Sequence, residues 1–335
     1  MLPAAEHATQ DVDHTNVESS DIDHLESSVA HHKPQSNTFW FDEAADCIVI
    51  AVQGTRFRLL RAKLCKNSKY FTRLFGSASD DADRCYDIDG VSSDDFKALI
   101  NAMDDAILYV LEPPPSPVVA SILRAAHKLE CENILRFSKQ LLCEIWSPDL
   151  HRLSTAPIPS ALPTILLARD LDISQVLKRA FYELLRNSEP REGLSEEDQR
   201  RVNTAHGELQ MHWAGFLWTT PNSHAFRCHT PSSVQHPPIE TTDVDKRNET
   251  AKSMETEKEM VCTAQLERDH FQAWRDLLEE HGLFAVDDPL GALQSLAAIN
   301  WEKMGYCAGC VEGRCEAFIR KRDELWNRLD GWFDL

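Results

Sequence analysis

FRLLRAKLCKNSKYFTRLF, Phe57 to Phe75, changes its apolar period twice. Phe57, Leu59 and Leu60 suit a strand buried over much of its surface, whereas Leu64, Tyr70, Phe71, Leu74 and Phe75 are spaced for helix packing. The helical spacing begins at Arg61, breaks at Asn67-Ser68 and resumes at Lys69. The stretch therefore predicts one strand feeding two short helices.

Upstream, Phe39-Trp40-Phe41 marks the start of order, and Cys47 to Val52, Gln53-Gly54 and Thr55 to Leu60 read as a hairpin. Downstream, Cys85 to Val91 supplies a further short strand. Asp94 to Asp105 places Phe96, Leu99, Ile100 and Met103 on one helical face. Ile107 to Leu111 is apolar without helical spacing and stops at Pro113-Pro114-Pro115, which predicts a last strand or extended segment. Val119, Ile122, Leu123 and Ala126, followed by Ile134, Phe137, Leu141 and Ile145, predict a pair of helices. Residues 37–150 thus form an α+β domain.

The chain of 335 residues suits two globular parts. Its 54 acidic against 35 basic residues give a formal net charge of -19, which repels phosphate backbones and anionic lipid, so neither nucleic acid nor membrane is an expected partner. No apolar run approaches the roughly 20 residues of a membrane helix, and MLPAAEHATQ lacks the pattern of a secretory signal. The expectation is an intracellular protein, with cytoplasm and nucleus both open, whose ten cysteines are reduced thiols.

Residues 1–36 carry seven acidic residues, one Lys and five His, and read as a disordered acidic arm. Residues 151–218 read as helical, with Ser195 to Asp198 as a capping box before a helix running towards Trp218. The polar, proline-bearing segment 219–260 is expected to be a flexible insertion, and residues 261–335 return to helix, with the last one beginning near Glu316.

Cys307, Cys310 and Cys315 are close enough in sequence to consider metal. A structural zinc wants four nitrogen or sulfur ligands, and Cys262, Cys228, His229 or His281 are the candidates for completing the set. The other reading of this segment is a turn between Gly305 and Gly313 that carries reduced thiols. No cysteine, serine or histidine sits in a nucleophile-elbow, phosphate-loop or His-Glu-x-x-His context, so no catalytic residue is assigned. The run Arg320-Lys321-Arg322 reads as the solvated face of the last helix.

Asp46, Phe57, Leu59, Arg61, Leu64, Ser68, Tyr70 and Phe71 together resemble the opening of a BTB (POZ) domain. That family shows an Asp before the first strand, a Phe-x-Val-His-(Arg/Lys) strand end, a Leu, and a Ser-x-(Tyr/Phe)-Phe helix start; here Leu60 stands in place of the His. The whole chain is similar to the large set of fungal BTB proteins that end in a Trp-containing helix, here Arg322-Asp323-Glu324-Leu325-Trp326 and Trp332-Phe333-Asp334-Leu335. The resemblance implies a small sheet flanked by helices, then an all-helical C-terminal region. It implies a non-catalytic interaction protein that dimerises through the first helix and its surroundings and offers its helical region to a partner protein. Asp46, Leu60, Arg61, Lys63, Leu64, Lys66 and Phe96 are the interface candidates, although Phe57, Leu64, Tyr70 and Phe71 also suit a packed core. Some family members are substrate adaptors of cullin-3 ubiquitin ligases through a hydrophobic-x-Glu element; the matching Phe96-Lys97-Ala98 lacks the Glu.

Overall fold

The computed structural model describes residues 39, 46–76, 85–187, 190–223, 226–228, 262–266 and 270–335. The acidic arm expected at 1–36, and residues 229–260 of the expected insertion, lie outside the described residues.

Strand β1 (Cys47–Val52) is central in a three-stranded sheet, antiparallel to β2 (Thr55–Leu60) and parallel to β3 (Cys85–Ile88). Gln53 and Gly54 both take positive φ, 48° and 78°, as a two-residue hairpin turn of the twist-compatible type requires. A parallel pair needs a long crossover, and helices α1 (Arg61–Asn67) and α2 (Lys69–Gly76) lie on that path. Ser68 makes the break between them. Its hydroxyl accepts the Phe71 N–H at 3.0 Å and donates to the Leu129 carbonyl at 2.6 Å, so one side chain caps α2 and ties it to the far side of the domain. The sheet buries Ile50, Val52 and Phe57 against Phe71 and Phe96, with the Phe57 and Phe96 rings 4.9 Å apart edge to face.

Helix α3 (Ser93–Leu111) is capped by the Ser92 hydroxyl, which accepts the Asp95 N–H at 3.0 Å. It bends at Asp105 (φ -111°, ψ 17°) and then continues, so Ile107 to Leu111 is helical rather than the expected strand. The β-branched and aromatic content of that run mimics a strand, but most of its side chains are exposed and the sheet ends elsewhere.

Helices α4 (Ser116–Lys128) and α5 (Glu132–Ile145) form an antiparallel hairpin closed by Trp146, whose indole donates to the Ser116 hydroxyl at 2.9 Å. The pair is apolar on two sides. Ile122, Ala125, Ala126 and Ile134 pack into the sheet core, while Val119, Leu123, Leu141, Leu142 and Trp146 pack into a second, helical core.

That second core contains α6 (Ala161–Asp170), α7 (Leu177–Arg186), α8 (Glu196–Thr219), the short α9 (Thr263–Leu266), α10 (His270–Glu280), α11 (Pro289–Ala297) and α12 (Ala308–Phe333). Among the described residues no helix is long and apolar enough to cross a membrane. Every residue of α7 is buried, including four with charged side chains. Glu183 accepts from Arg179 at 2.8 Å, from Arg186 at 2.7 and 2.9 Å and from the Ile158 N–H at 3.0 Å. Arg186 continues to Asp288 and to the Ser154 and Ala156 carbonyls. These bonds replace water for groups that would otherwise be costly to bury. Helix α12 closes the core on α7 and α8. Phe333 meets Phe181 at 5.2 Å, Trp326 meets Tyr182 at 5.7 Å, and the Trp326 indole donates to the Pro148 carbonyl. α12 begins at Ala308, earlier than the sequence reading placed it.

At the head of α8, Ser195 caps the Asp198 N–H as the sequence pattern predicts, and Asp198 takes a two-pronged bond from Arg169 at 3.1 and 2.6 Å. Burial works to raise the Asp198 pKa, but hydrogen bonds from Arg169 and Arg201 prevail and hold the carboxyl below its ordinary range.

Two tests follow from these polar clamps. Replacing Glu183 with Ala leaves the buried Arg179 guanidinium without its carboxylate and Arg186 with Asp288 as its remaining acidic partner, and is expected to cost about 3–5 kcal/mol, read from urea unfolding. A loss under about 1 kcal/mol contradicts this role. Because the Asp198 pKa is lowered on folding, its contribution is complete above the unfolded pKa near 3.9 and is lost as pH falls through the lowered native value. Asp198→Asn should flatten the acid limb of the stability–pH curve between about pH 5 and 2.

Candidate functional site

Two places in the fold bring together the residues singled out in the sequence. Around α1, Asp46 is exposed and serves as the cap that Leu60 lacks: its carbonyl accepts the Arg61 N–H at 3.0 Å and its Oδ2 accepts the Ala62 N–H at 3.2 Å. Leu60, Arg61 and Lys63 are half-buried and Lys66 is exposed. Arg61 reaches back to the Phe75 carbonyl at 3.0 Å and lies over the Phe75 ring, so much of its side chain holds α1 to α2. Leu64 and Phe96 are fully buried in the sheet core, with Phe96 between Phe57 and Phe71. Neither offers accessible surface to a partner. Sequence proximity to α1 does not reveal which way a side chain faces, and these two face inward.

Lys63 pairs with Asp104, which joins α1 to the last residue before the α3 bend. Past the bend, Ile107, Leu108, Val110 and Leu111 are 80%, 57%, 66% and 78% exposed. Tyr109, in their midst, is tucked against both cores. An apolar run without helical period suggests a buried strand, so the sequence carries no local signal for this exposed patch. Ile107, Leu108, Val110 and Leu111 thus place four large apolar side chains together on a turn and a half of exposed helix.

The second place is in the helical core. The sulfurs of Cys228, Cys262, Cys307 and Cys310 all lie within 4.8 Å of one another. Cys228 to Cys307 measures 3.8 Å and Cys262 to Cys310 measures 3.7 Å. Cys307 is the residue before α12 and Cys310 is in its first turn, so two sulfurs sit at the N-terminus of a long helix, where negative charge is favoured. The Cys307 N–H donates to the Cys262 sulfur at 3.2 Å. Alongside, the Thr263 N–H donates to the Gly305 carbonyl at 2.9 Å and its hydroxyl to the Met304 carbonyl at 2.7 Å. Burial pushes the Cys262 and Cys310 thiols upward, Cys310 strongly. Four sulfurs so placed can act together as thiolates only beside a cation.

Cys315 is not in the cluster. It lies five positions beyond Cys310 on the same helix, which turns it to another face, and its sulfur donates to the Ala297 carbonyl at 3.5 Å. His281 is exposed and outside the cluster, and His229 lies outside the described residues. The Arg314 guanidinium is held 4.3 Å from the Phe226 ring, 4.1 Å from Tyr306 and 4.9 Å from Trp301. Phe226 and Tyr306 stand two residues and one residue before Cys228 and Cys307, so the caged arginine anchors the same segments that carry the sulfurs. Pro221 and Phe226 are buried too, which places the start of the segment expected to be a flexible insertion within the helical core.

Residues 37–145 match the family model of the BTB/POZ domain. This part of the chain is a BTB/POZ domain. No curated protein matches the chain. The match ends at Ile145, the last residue of α5, yet the α4–α5 hairpin of the BTB/POZ domain also packs one apolar side, Val119, Leu123, Leu141 and Leu142, into the helical core. The BTB/POZ match supports a protein–protein interaction role, and the cysteine cluster lies wholly outside the matched residues.

Gly305 is the tightest point of the cluster's scaffold. Its φ is +85°, and a Cβ there would collide with the Thr263 hydroxyl. Gly305→Ala is expected to cost about 1–3 kcal/mol by combining left-handed strain with a steric clash. Thermal unfolding of the full chain measures it, and an unchanged midpoint contradicts the close approach of these segments.

Proposed function

We propose that the protein is a non-catalytic interaction protein that self-associates through its BTB/POZ domain and presents its helical region to another protein. The observation that carries this reading is the exposed apolar turn Ile107 to Leu111, joined to α1 through the Lys63–Asp104 pair. A monomer gains nothing from leaving four such side chains in water, and a second copy bringing the same turn and the edge of α1 buries them on both sides of a two-fold axis. Lys66, Lys63 and Asp46 then form the polar rim of that contact. The acidic chain as a whole disfavours loose association, so the contact must rest on apolar burial.

Sedimentation of the full chain is the direct test. The wild type is expected to be a dimer at tens of micromolar, roughly the range in which such contacts are populated. The double variant Ile107→Asp/Leu111→Asp should keep its circular dichroism and raise the dimer dissociation constant more than about 100-fold, because each buried apolar anchor is worth over 1 kcal/mol and is lost twice per dimer. A monomeric wild type, or a double variant that dimerises as before, overturns the reading.

A further inference from the structure

We propose that Cys228, Cys262, Cys307 and Cys310 bind one zinc ion that clamps three separate segments of the helical region. A tetrahedral site with metal–sulfur bonds of about 2.3 Å has sulfur–sulfur edges of about 3.8 Å. The Cys228–Cys307 and Cys262–Cys310 pairs, at 3.8 and 3.7 Å, match that edge, and all four sulfurs lie within 4.8 Å of one another. A single pair at such a distance is ordinary packing. Four sulfurs closing on a common point, from positions 79 and 48 residues apart in the two close pairs, form a ligand set.

The chemistry of the set selects the ion. Four soft sulfur donors in a tetrahedral arrangement favour zinc over magnesium or calcium, which take oxygen ligands. Convergence on one point suits a single ion rather than an iron–sulfur cluster, whose cysteines are shared among several irons. All four positions are filled by protein sulfur, so no position remains for a water, and the ion is structural. Binding one Zn2+ releases the thiol protons to solvent and leaves a site of net charge about -2. The N-terminus of α12 faces that charge, the Cys307 N–H bonds to the Cys262 sulfur, and Arg314 stands four positions after Cys310 on the same side of the helix.

The clamp has a clear mechanical use. It joins the segment at Phe226, the start of α9 and the start of α12. Beneath it Phe226, Trp274, Trp301 and Phe318 pack ring against ring, with Trp274 and Trp301 6.3 and 6.0 Å from Phe318. Metal binding to the folded state alone adds directly to the stability of this cluster.

Metal analysis of the full chain, purified without added metal, tests the site. The wild type is expected to carry about one zinc per chain, and Cys310→Ser or Cys228→Ser should lose most of it, since three sulfurs hold the ion far less well than four. Cys315→Ser should keep the full amount. As a check that does not depend on a variant folding, titrating wild-type thiols with an organomercurial should release the zinc in step to a metal-sensitive dye. A strong chelator should lower the unfolding temperature of the wild type. Wild-type protein with no bound metal and an unfolding temperature indifferent to chelator overturns the proposal. Stoichiometric iron overturns the choice of zinc, and equal loss from Cys315→Ser and Cys310→Ser overturns the ligand assignment.

Discussion

The α4–α5 hairpin has to satisfy two cores at once, and the rest of the chain is arranged around that constraint. An amphipathic helix pair with one apolar side would end the BTB/POZ domain at solvent. Here the second side, Val119, Leu123, Leu141, Leu142 and Trp146, is as fully buried as the first, so the domain is complete only when the helical region covers it. At about 25 cal/mol per Å2, side chains of this size make the shared wall worth several kcal/mol to both parts. The Trp146–Ser116 bond locks the two ends of the hairpin together and satisfies a buried indole where the two cores meet.

From this wall the helical region is built outward in layers of different chemistry. Helix α7 lies nearest the centre and carries charge inside, with Glu183 neutralising Arg179 and Arg186, and with Asp288 reached across to the start of α11. Such a network contributes more to fixing which segments meet than to net stability. Helix α12 then spans from that network to the cysteine cluster: Trp326 and Phe333 bind its C-terminal half to α7, and Cys307 and Cys310 begin it. The two candidate sites are thus at separate ends of the logic of the chain. The apolar turn of α3 is exposed on the BTB/POZ part of the chain, and the four sulfurs lie together in the helical region.

Much of this was legible in the sequence, and the exceptions have physical reasons. The strand-to-helix switch in Phe57 to Phe75 reads correctly because period 2 and period 3.6 differ so strongly there, and the Asn67-Ser68 break is where Ser68 caps α2. Ile107 to Leu111 misreads as a strand because five apolar residues before prolines carry no period of their own. Leu64 and Phe96 fall among the interface candidates by position along the chain, while their inward direction depends on packing that only the fold defines. For the cysteines, close spacing points to Cys307, Cys310 and Cys315 together, and the fold brings the first two into the sulfur cluster while helix phase turns Cys315 away from it. Cys228 and Cys262 were open candidates with no local signal to select them over the histidines. Their selection depends on the return of the chain at Phe226 and at α9, a long-range contact that no short motif encodes.

Native-state hydrogen exchange on the full chain, comparing wild type with Phe333→Ala, tests the shared wall most directly. Phe333 packs on Phe181 and belongs to the helical core. If the α4–α5 hairpin couples the two cores, the substitution lowers protection in α4, α5 and the β1–β3 sheet together with the helical region, by a common amount of about 3 kcal/mol or more. Unchanged protection of the sheet and of α4–α5 beside a weakened helical region would show two independent units and contradict the account.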